Sequence, residues 1–245
     1  RVLNNIKDPK ENVLYILEIS SFQLEFIKHF SPDILVYTNI SQDHLDRHGS
    51  MEEYINMKLN ALMNMKDKGQ IIYNKDNAIL EKVLSPFPHK KQPFSTKSKD
   101  VLYRIDKKNI IGPSDDKLLN VDELNIPGEH NLQNFLAAST CSHLMGISQN
   151  QIVKSMKEFK GVEHRLEYVR TINKVEFIND SKATNIDSVI VAINTYKQPI
   201  ILILGGFNKG ANFRLLLPHI KSSHVRDIVS YGDAGGHINT ALGDA

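Results

Sequence analysis

Cysteine is nearly missing: Cys141 is the only one in 245 residues. No intrachain disulfide and no Cys-based zinc site can form. Cys141 itself reads as a small core residue on its helix. No apolar stretch approaches the ~20 residues needed to span a bilayer, and Ile200 to Leu204 is typical of the longest. Arg1 to Asn12 is polar and charged and lacks a secretory leader's pattern. Positive and negative residues nearly balance, 30 Lys plus Arg against 28 Asp plus Glu, for a net charge of +2. That argues against a nucleic-acid partner held by a basic surface field, and Lys90-Lys91 and Lys107-Lys108 read as solvated loop charges. With 41% hydrophobic and 24% charged residues, wholesale disorder is excluded. The expectation is a soluble chain of a reducing compartment, cytoplasmic and monomeric, with no membrane partner. An initiator Met is also missing, and Gly243-Asp244-Ala245 follows what reads as the middle of an α/β unit. A piece of a longer protein is therefore expected.

What is present alternates between strand and helix patterns. Val13–Ile19 is an apolar run expected as a buried strand. A helix is expected at Phe22–His29, stopping before Ser31-Pro32. Asp33–Asn39 is a strand, Met51–Met65 a long helix, Gln70–Tyr73 a strand and Asn77–Leu84 a helix. Short runs between Ser85 and Asn125 predict β-hairpins. Asn131–Met145 is an Ala-containing helix closed by Gly146, and Ser148 opens the next. Strands come next at Leu166–Thr171 and Lys174–Ile178, then a helix at Ile186–Tyr196 and a strand at Pro199–Leu204. A helix at Phe213–Ile220 and a strand at Asp227–Tyr231 complete the series. This is an α/β pattern with mostly parallel sheets covered on both faces. A break near Gly161 divides it into residues 1–160 and 161–245.

Several polar clusters fall at strand-to-helix junctions, where open α/β sheets bind ligands. Glu18 ends the first strand, a costly place for a carboxylate unless it is paired or holds a metal. Ser20, Ser21 and Gln23 come directly after it, with helix capping as the plainer reading. Asp43, His44, Asp46 and His48 crowd the next junction and offer carboxylate and imidazole to a divalent ion, or simply form a polar loop. Lys58 lies on an apolar-patterned helix, either snorkelling to water or partnered. Asn131 and Asn134 share a helix face after Gly128 and suit the donor and acceptor edge of an adenine, or a cap. His164-Arg165 and Asn179-Asp180-Ser181-Lys182-Ala183-Thr184 open the second unit. There Lys182 suits phosphate, and Asp180 suits a ribose or metal-bound water. Gly205-Gly206 permits close backbone approach, with Lys209 beside it for an anion.

In this order the motifs resemble the Mur ligase family, over nearly the whole chain from Leu17 to about Gly232. The Ser-Ser-Phe-Gln-Leu-Glu form at Ser20–Glu25 is similar to the branch that joins D-glutamate to UDP-N-acetylmuramoyl-L-alanine in cytoplasmic peptidoglycan precursor synthesis. The resemblance implies an ATP-dependent ligase working through an acyl phosphate, with ATP and Mg2+ as cofactors. It implies a central ATPase-type α/β domain, a mostly parallel sheet with helices on both faces plus a small hairpin sheet, and then a partial Rossmann-like domain. It further implies that Glu18, His44 and a carbamylated Lys58 hold Mg2+, and that His44, Lys58 and Lys182 are catalytic. Ser20, Ser21 and Gln23 would lie near the UDP-linked substrate. Asn131 and Asn134 would approach adenine, and Arg165 and Asp180 the phosphates and ribose. Lys182, Thr184 and Lys209 would receive D-glutamate or the acyl phosphate. Ligands supplied from both units imply closure on binding. The chain departs from the family in having no Gly-x-x-Gly-Lys-[Ser/Thr] loop and no Ser-rich end segment, so these residues alone are expected to be inactive. The alternatives are a non-catalytic nucleotide-binding remnant and a metal-dependent hydrolase centred on Asp43 and His44, with Asp46 and His48.

Overall fold

The computed structural model describes residues 13–42, 44–208 and 210–243. Asp43 and Lys209 lie outside the described residues, as does the Asp46 side chain. Helix α1 (Ser21–Leu24) is a single turn started by a capping box between Ser20 and Gln23. β1 (Ile34–Tyr37) leads through a loop to α2 (Leu45–His48) and α3 (Met51–Leu59), which is N-capped by Ser50. β2 (Gln70–Asn74), α4 (Ala78–Leu84) and β3 (Lys90–Phe94) complete a three-stranded parallel sheet in the order β1-β2-β3.

The period of two along β2 sends side chains to two cores. Ile71 and Tyr73 face Tyr54, Leu62, Leu80 and Leu84 of the crossover helices and turns. Ile72 faces the other way, into a core that also holds Phe135, Leu136, Ile152 and Met156. Those residues come from α5 (Glu129–Leu144) and α6 (Gln149–Glu158). The same core takes Ile110 and Leu119 from a small antiparallel sheet of β4 (Arg104–Asp106), β5 (Asn109–Ile111) and β6 (Lys117–Asn120), and Tyr103 from just before β4. Full burial of one such aliphatic side chain stabilises by about 1.5–3 kcal/mol, so these rows fix which face each helix covers.

A hairpin of β7 (Glu167–Ile172) and β8 (Val175–Asn179) comes next, turning at Asn173 and Lys174 with φ of 49° and 66°. Two left-handed residues match the right-handed twist of hairpin strands. Then come α7 (Ile186–Thr195), β9 (Ile200–Gly205), α8 (Leu217–Lys221), β10 (Val225–Tyr231) and α9 (Gly235–Leu242). β9 and β10 pair in parallel, and a third core of Val189, Ile193, Leu216, Ile220, Ile238 and Leu242 covers one face of them.

The α/β class and the hairpin sheet match the expectation. Five elements differ, one of them the expected Phe213–Ile220 helix, which is a 3-10 turn over Phe213–Leu216 before α8 begins. Val13–Ile19 is not a strand: it carries no strand pairing, and Ile16 is 87% exposed. An apolar run signals burial, but a strand also needs a neighbour to satisfy its ladder, and among the described residues the sheet stops at β1. The Phe22–His29 helix ends at Leu24, because only Ser21 and Leu24 are buried and Phe26 points to water. The Met51–Met65 helix tightens into a 3-10 turn over Asn60–Leu62. Lys90–Phe94, expected among the hairpins, is the third parallel strand; Pro93 is tolerated there because β3 lies at the sheet's edge.

Candidate functional site

A cavity of about 540 Å3 opens between α5, α6, the segment around Gly161 and the turn that enters β7. That volume suits a cofactor-sized ligand. Its wall carries Glu18, Asn131, Asn134, Arg165 and Lys182, residues from four separate motifs. Phe135, Ile152, Met156 and Phe159 supply an apolar lining against which a flat ring can stack. This lining was missed at the sequence level, since its spacing on α5 and α6 is the same as that of core residues.

Gly128 sets the entry of α5. Its φ is 103°, and a Cβ there would meet the His130 ring at 2.6 Å and Thr195 Oγ1 at 3.2 Å. Asn131, one turn on, is buried, and its amide nitrogen donates to the Pro127 carbonyl at 2.6 Å. That leaves its amide oxygen for a ligand. Asn134 is exposed on the cavity side.

Arg165 sits in a strained turn. His164 and Leu166 on either side have φ of 67° and 45°, and such non-glycine strain persists only where neighbours hold it. The holding bonds are local. Leu166 N donates to Asp180 Oδ1 at 3.0 Å, His164 N to Glu167 Oε2 at 2.8 Å, and Lys182 N to the His164 carbonyl at 3.0 Å. Burial pushes the Asp180 carboxyl above its ordinary range, opposed by the Leu166 N–H and by Arg165. His130 shares this electrostatic neighbourhood: burial and then Arg165 lower its pKa, with Asp180 acting the other way. Thr184 is exposed, just before Asn185, the N-cap of α7.

Ser20 and Gln23 are engaged with each other in the α1 cap. Ser21 is buried, with its hydroxyl 3.0 Å from His48 Nε2. His44 has a φ of 53° and meets the Phe22 ring edge-on at 4.8 Å. Lys58 is half-buried with its Nζ 5.1 Å from the centre of the Tyr54 ring. His48 is buried among Ser21, Phe22 and Tyr54.

No group of three or more His, Cys, Asp or Glu is assembled for a metal among the described residues. Mg2+ in nucleotide sites takes one or two carboxylates, waters and substrate phosphates rather than a full protein cage. Glu18, a carboxylate on the cavity wall with Arg165 and Lys182, fits that demand.

Residues 2–142 match the model of the Mur ligase middle domain. The chain belongs to the Mur ligase family. Among curated members, the UDP-N-acetylmuramoylalanine--D-glutamate ligase of Clostridioides difficile (strain 630) is 40% identical over 240 residues, 97% of this chain and 53% of that protein. The like-named enzyme of Thermoanaerobacter sp. (strain X514) is 42% identical over 212 residues, 85% of this chain and 47% of its own. The chain thus spans about half the length of the curated relatives it matches. Among solved structures, MurF of Acinetobacter baumannii superposes with a TM-score of 0.66 at 17% identity, covering 86% of this chain and 49% of that one. MurF of Thermotoga maritima, solved in complex with ADP, gives 0.63 at 15% identity over 91% of this chain and 58% of its own. These likenesses establish the Mur ligase fold. No helix among the described residues is long and apolar enough to cross a membrane.

Proposed function

We propose that this Mur ligase chain is the central and partial C-terminal part of an enzyme that joins D-glutamate to UDP-N-acetylmuramoyl-L-alanine at the expense of ATP, in the cytoplasm. The observation that carries the reading is the cavity on which Glu18, Asn131, Asn134, Arg165 and Lys182 converge. The D-glutamate ligases at about 40% identity support the choice of amino acid. We take residues 1–160 and 161–245 as the two units whose meeting makes the cavity.

In this reading the adenine lies between the Asn131–Asn134 face and the apolar wall of Phe135 and Phe159. Arg165 and Lys182 meet the phosphates, and Asp180 receives the ribose. A carboxylate oxygen of the UDP-linked substrate attacks the γ-phosphorus, and ADP leaves. The D-glutamate amine then attacks the acyl carbon, loses a proton and expels phosphate. Such transfer depends on positioning and on neutralising spread charge, which is the task of Arg165 and Lys182. Thr184 and Lys209 would hold the D-glutamate carboxylates, and Ser20, Ser21 and Gln23 would border the UDP-linked substrate. Glu18, His44 and a carbamylated Lys58 would hold Mg2+, which when bound neutralises phosphate charge.

The test is ligation by the product of the complete reading frame that contains these residues. Labelled D-glutamate should enter UDP-N-acetylmuramoyl-L-alanine with equal release of ADP and phosphate. ADP release that ignores D-glutamate, or nucleotide binding without turnover, would overturn the reading in favour of a remnant.

A further inference from the structure

Glu18 reaches the cavity from the segment that leads into α1. Residues 13–20 carry no strand pairing among the described residues, and Val13, Leu14, Ile16 and Leu17 are exposed. The segment runs directly into α1, a helix of four residues. One turn does not hold itself, because helix nucleation is unfavourable without tertiary contacts. Glu18 stands three residues before α1, so the contacts that fix α1 bear on where its carboxylate lies.

The strongest grip is His48. Its ring is buried, and Nε2 lies 3.0 Å from Ser21 Oγ, the first residue of α1, across 27 positions of sequence. The ring stacks on Phe22 at 5.5 Å with an interplanar angle of 10°, and tilts against Tyr54 at 5.4 Å. Next to it, Arg47 donates to both oxygens of Glu25, the C-cap of α1, at 3.3 and 2.7 Å. Glu25 Oε1 lies 3.9 Å from His48 Nδ1. The Ser21 hydroxyl and His48 Nε2 share one hydrogen bond, its donor set by the ring's tautomer. The two ends of α1 are thus clipped to one face of α2. The outer ion pair is partly exposed and contributes little. The Ser21–His48 bond is buried, where an unmade bond is costly.

We propose that His48 is a positioning residue: through Ser21 and Phe22 it fixes α1, and through α1 it places the Glu18 carboxylate at the nucleotide cavity. The inference rests on the proposed Mg–nucleotide role of that cavity. It assigns to His48 a task separate from metal ligation and hydrolysis.

The experiment is a double-mutant cycle in the product of the complete reading frame, read by the dissociation constant of Mg–ATP and by urea unfolding. His48→Phe keeps the aromatic packing and deletes the hydrogen bond. It should weaken Mg–ATP about tenfold, as a contact coupled to Glu18 would. Glu18→Gln should weaken it by a similar factor, and the double variant should cost no more than either alone. His48→Gln, which can still accept from Ser21, should recover most of the affinity, and His48→Phe should remain cooperatively folded. If Glu18→Gln weakens binding while His48→Phe does not, or if the two losses simply multiply, the positioning role is overturned and the cavity reading stands. If the parent protein from the complete reading frame binds no Mg–ATP, the cavity reading falls and this inference falls with it.

Discussion

The side-chain amide of Asn77 donates to the Ile40 carbonyl at 3.1 Å while its oxygen accepts from Leu80 N at 3.0 Å. One residue thereby caps α4 and tethers the loop that runs from β1 to His44. The two halves can be separated by substitution. Asn77→Ala loses both and should cost about 2 kcal/mol, the sum of a cap and a neutral hydrogen bond. Asn77→Asp keeps the cap acceptor but presents an oxygen to the Ile40 carbonyl, and should fall between the parent and Asn77→Ala. Urea unfolding at constant m-value measures the series. Equal stability of Asn77→Asp and the parent would mean that the loop tether contributes nothing.

Much of the fold was legible because burial on two faces writes itself into parallel strands. Gln70–Tyr73 reads as a short strand, and Ile71 and Ile72 are indeed both fully buried, on opposite sides. The same rule misled at Val13–Ile19, where the run is equally apolar but no described strand lies beside it. Composition cannot say who the neighbour is. Pro93 hid β3 by imitating a loop. At the site, the motifs named Glu18, Asn131, Asn134, Arg165 and Lys182 separately, and the cavity gathers them. Their meeting depends on the α5–α6 packing and the strained Arg165 turn, neither of which has a local signature. Ser21 and His48 were both noticed, as a cap and as a candidate ligand. Their hydrogen bond spans 27 positions and belongs to no sequence period.

Arg165 and Lys182 give the nucleotide reading a direct test. A guanidinium that pairs with phosphate makes charge-assisted hydrogen bonds worth about 1.5–3 kcal/mol each. Arg165→Ala should therefore weaken ATP about tenfold or more in calorimetric titration. Adenosine, which has no phosphate, should bind parent and variant alike. Equal losses for both ligands would mean that Arg165 supports the turn rather than the phosphates.

Lys58 tests the metal proposal through chemistry that an ordinary lysine cannot perform. Attack of its neutral amine on carbon dioxide, with loss of a proton, would exchange a cation for an anionic oxygen donor. In the complete enzyme, Lys58→Ala should lose activity by orders of magnitude, and a short carboxylate such as acetate or propionate should restore part of it by entering the vacated space. The measurement is ADP release against carboxylate concentration. An active Lys58→Ala enzyme, or a dead one indifferent to carboxylates, would remove Lys58 from the metal's ligand set.

His130 gives the pH dependence. Burial lowers its pKa from the ordinary 6.5, Arg165 adds to the lowering, and Asp180 partly opposes it. The folded state therefore resists the proton more than the unfolded state does. The stability tied to neutral His130 is present in full above pH 6.5 and is lost as pH falls toward the lowered folded value. His130→Asn removes this linkage without adding a titrating group. Urea unfolding at pH 7.5, 6.5 and 5.5 should find the parent losing more stability in acid than His130→Asn. The difference should open below pH 6.5, because above it neither state binds the proton. Parallel pH profiles for the two proteins would mean that His130 titrates alike folded and unfolded, and that its closeness to Arg165 and Asp180 has no consequence for folding.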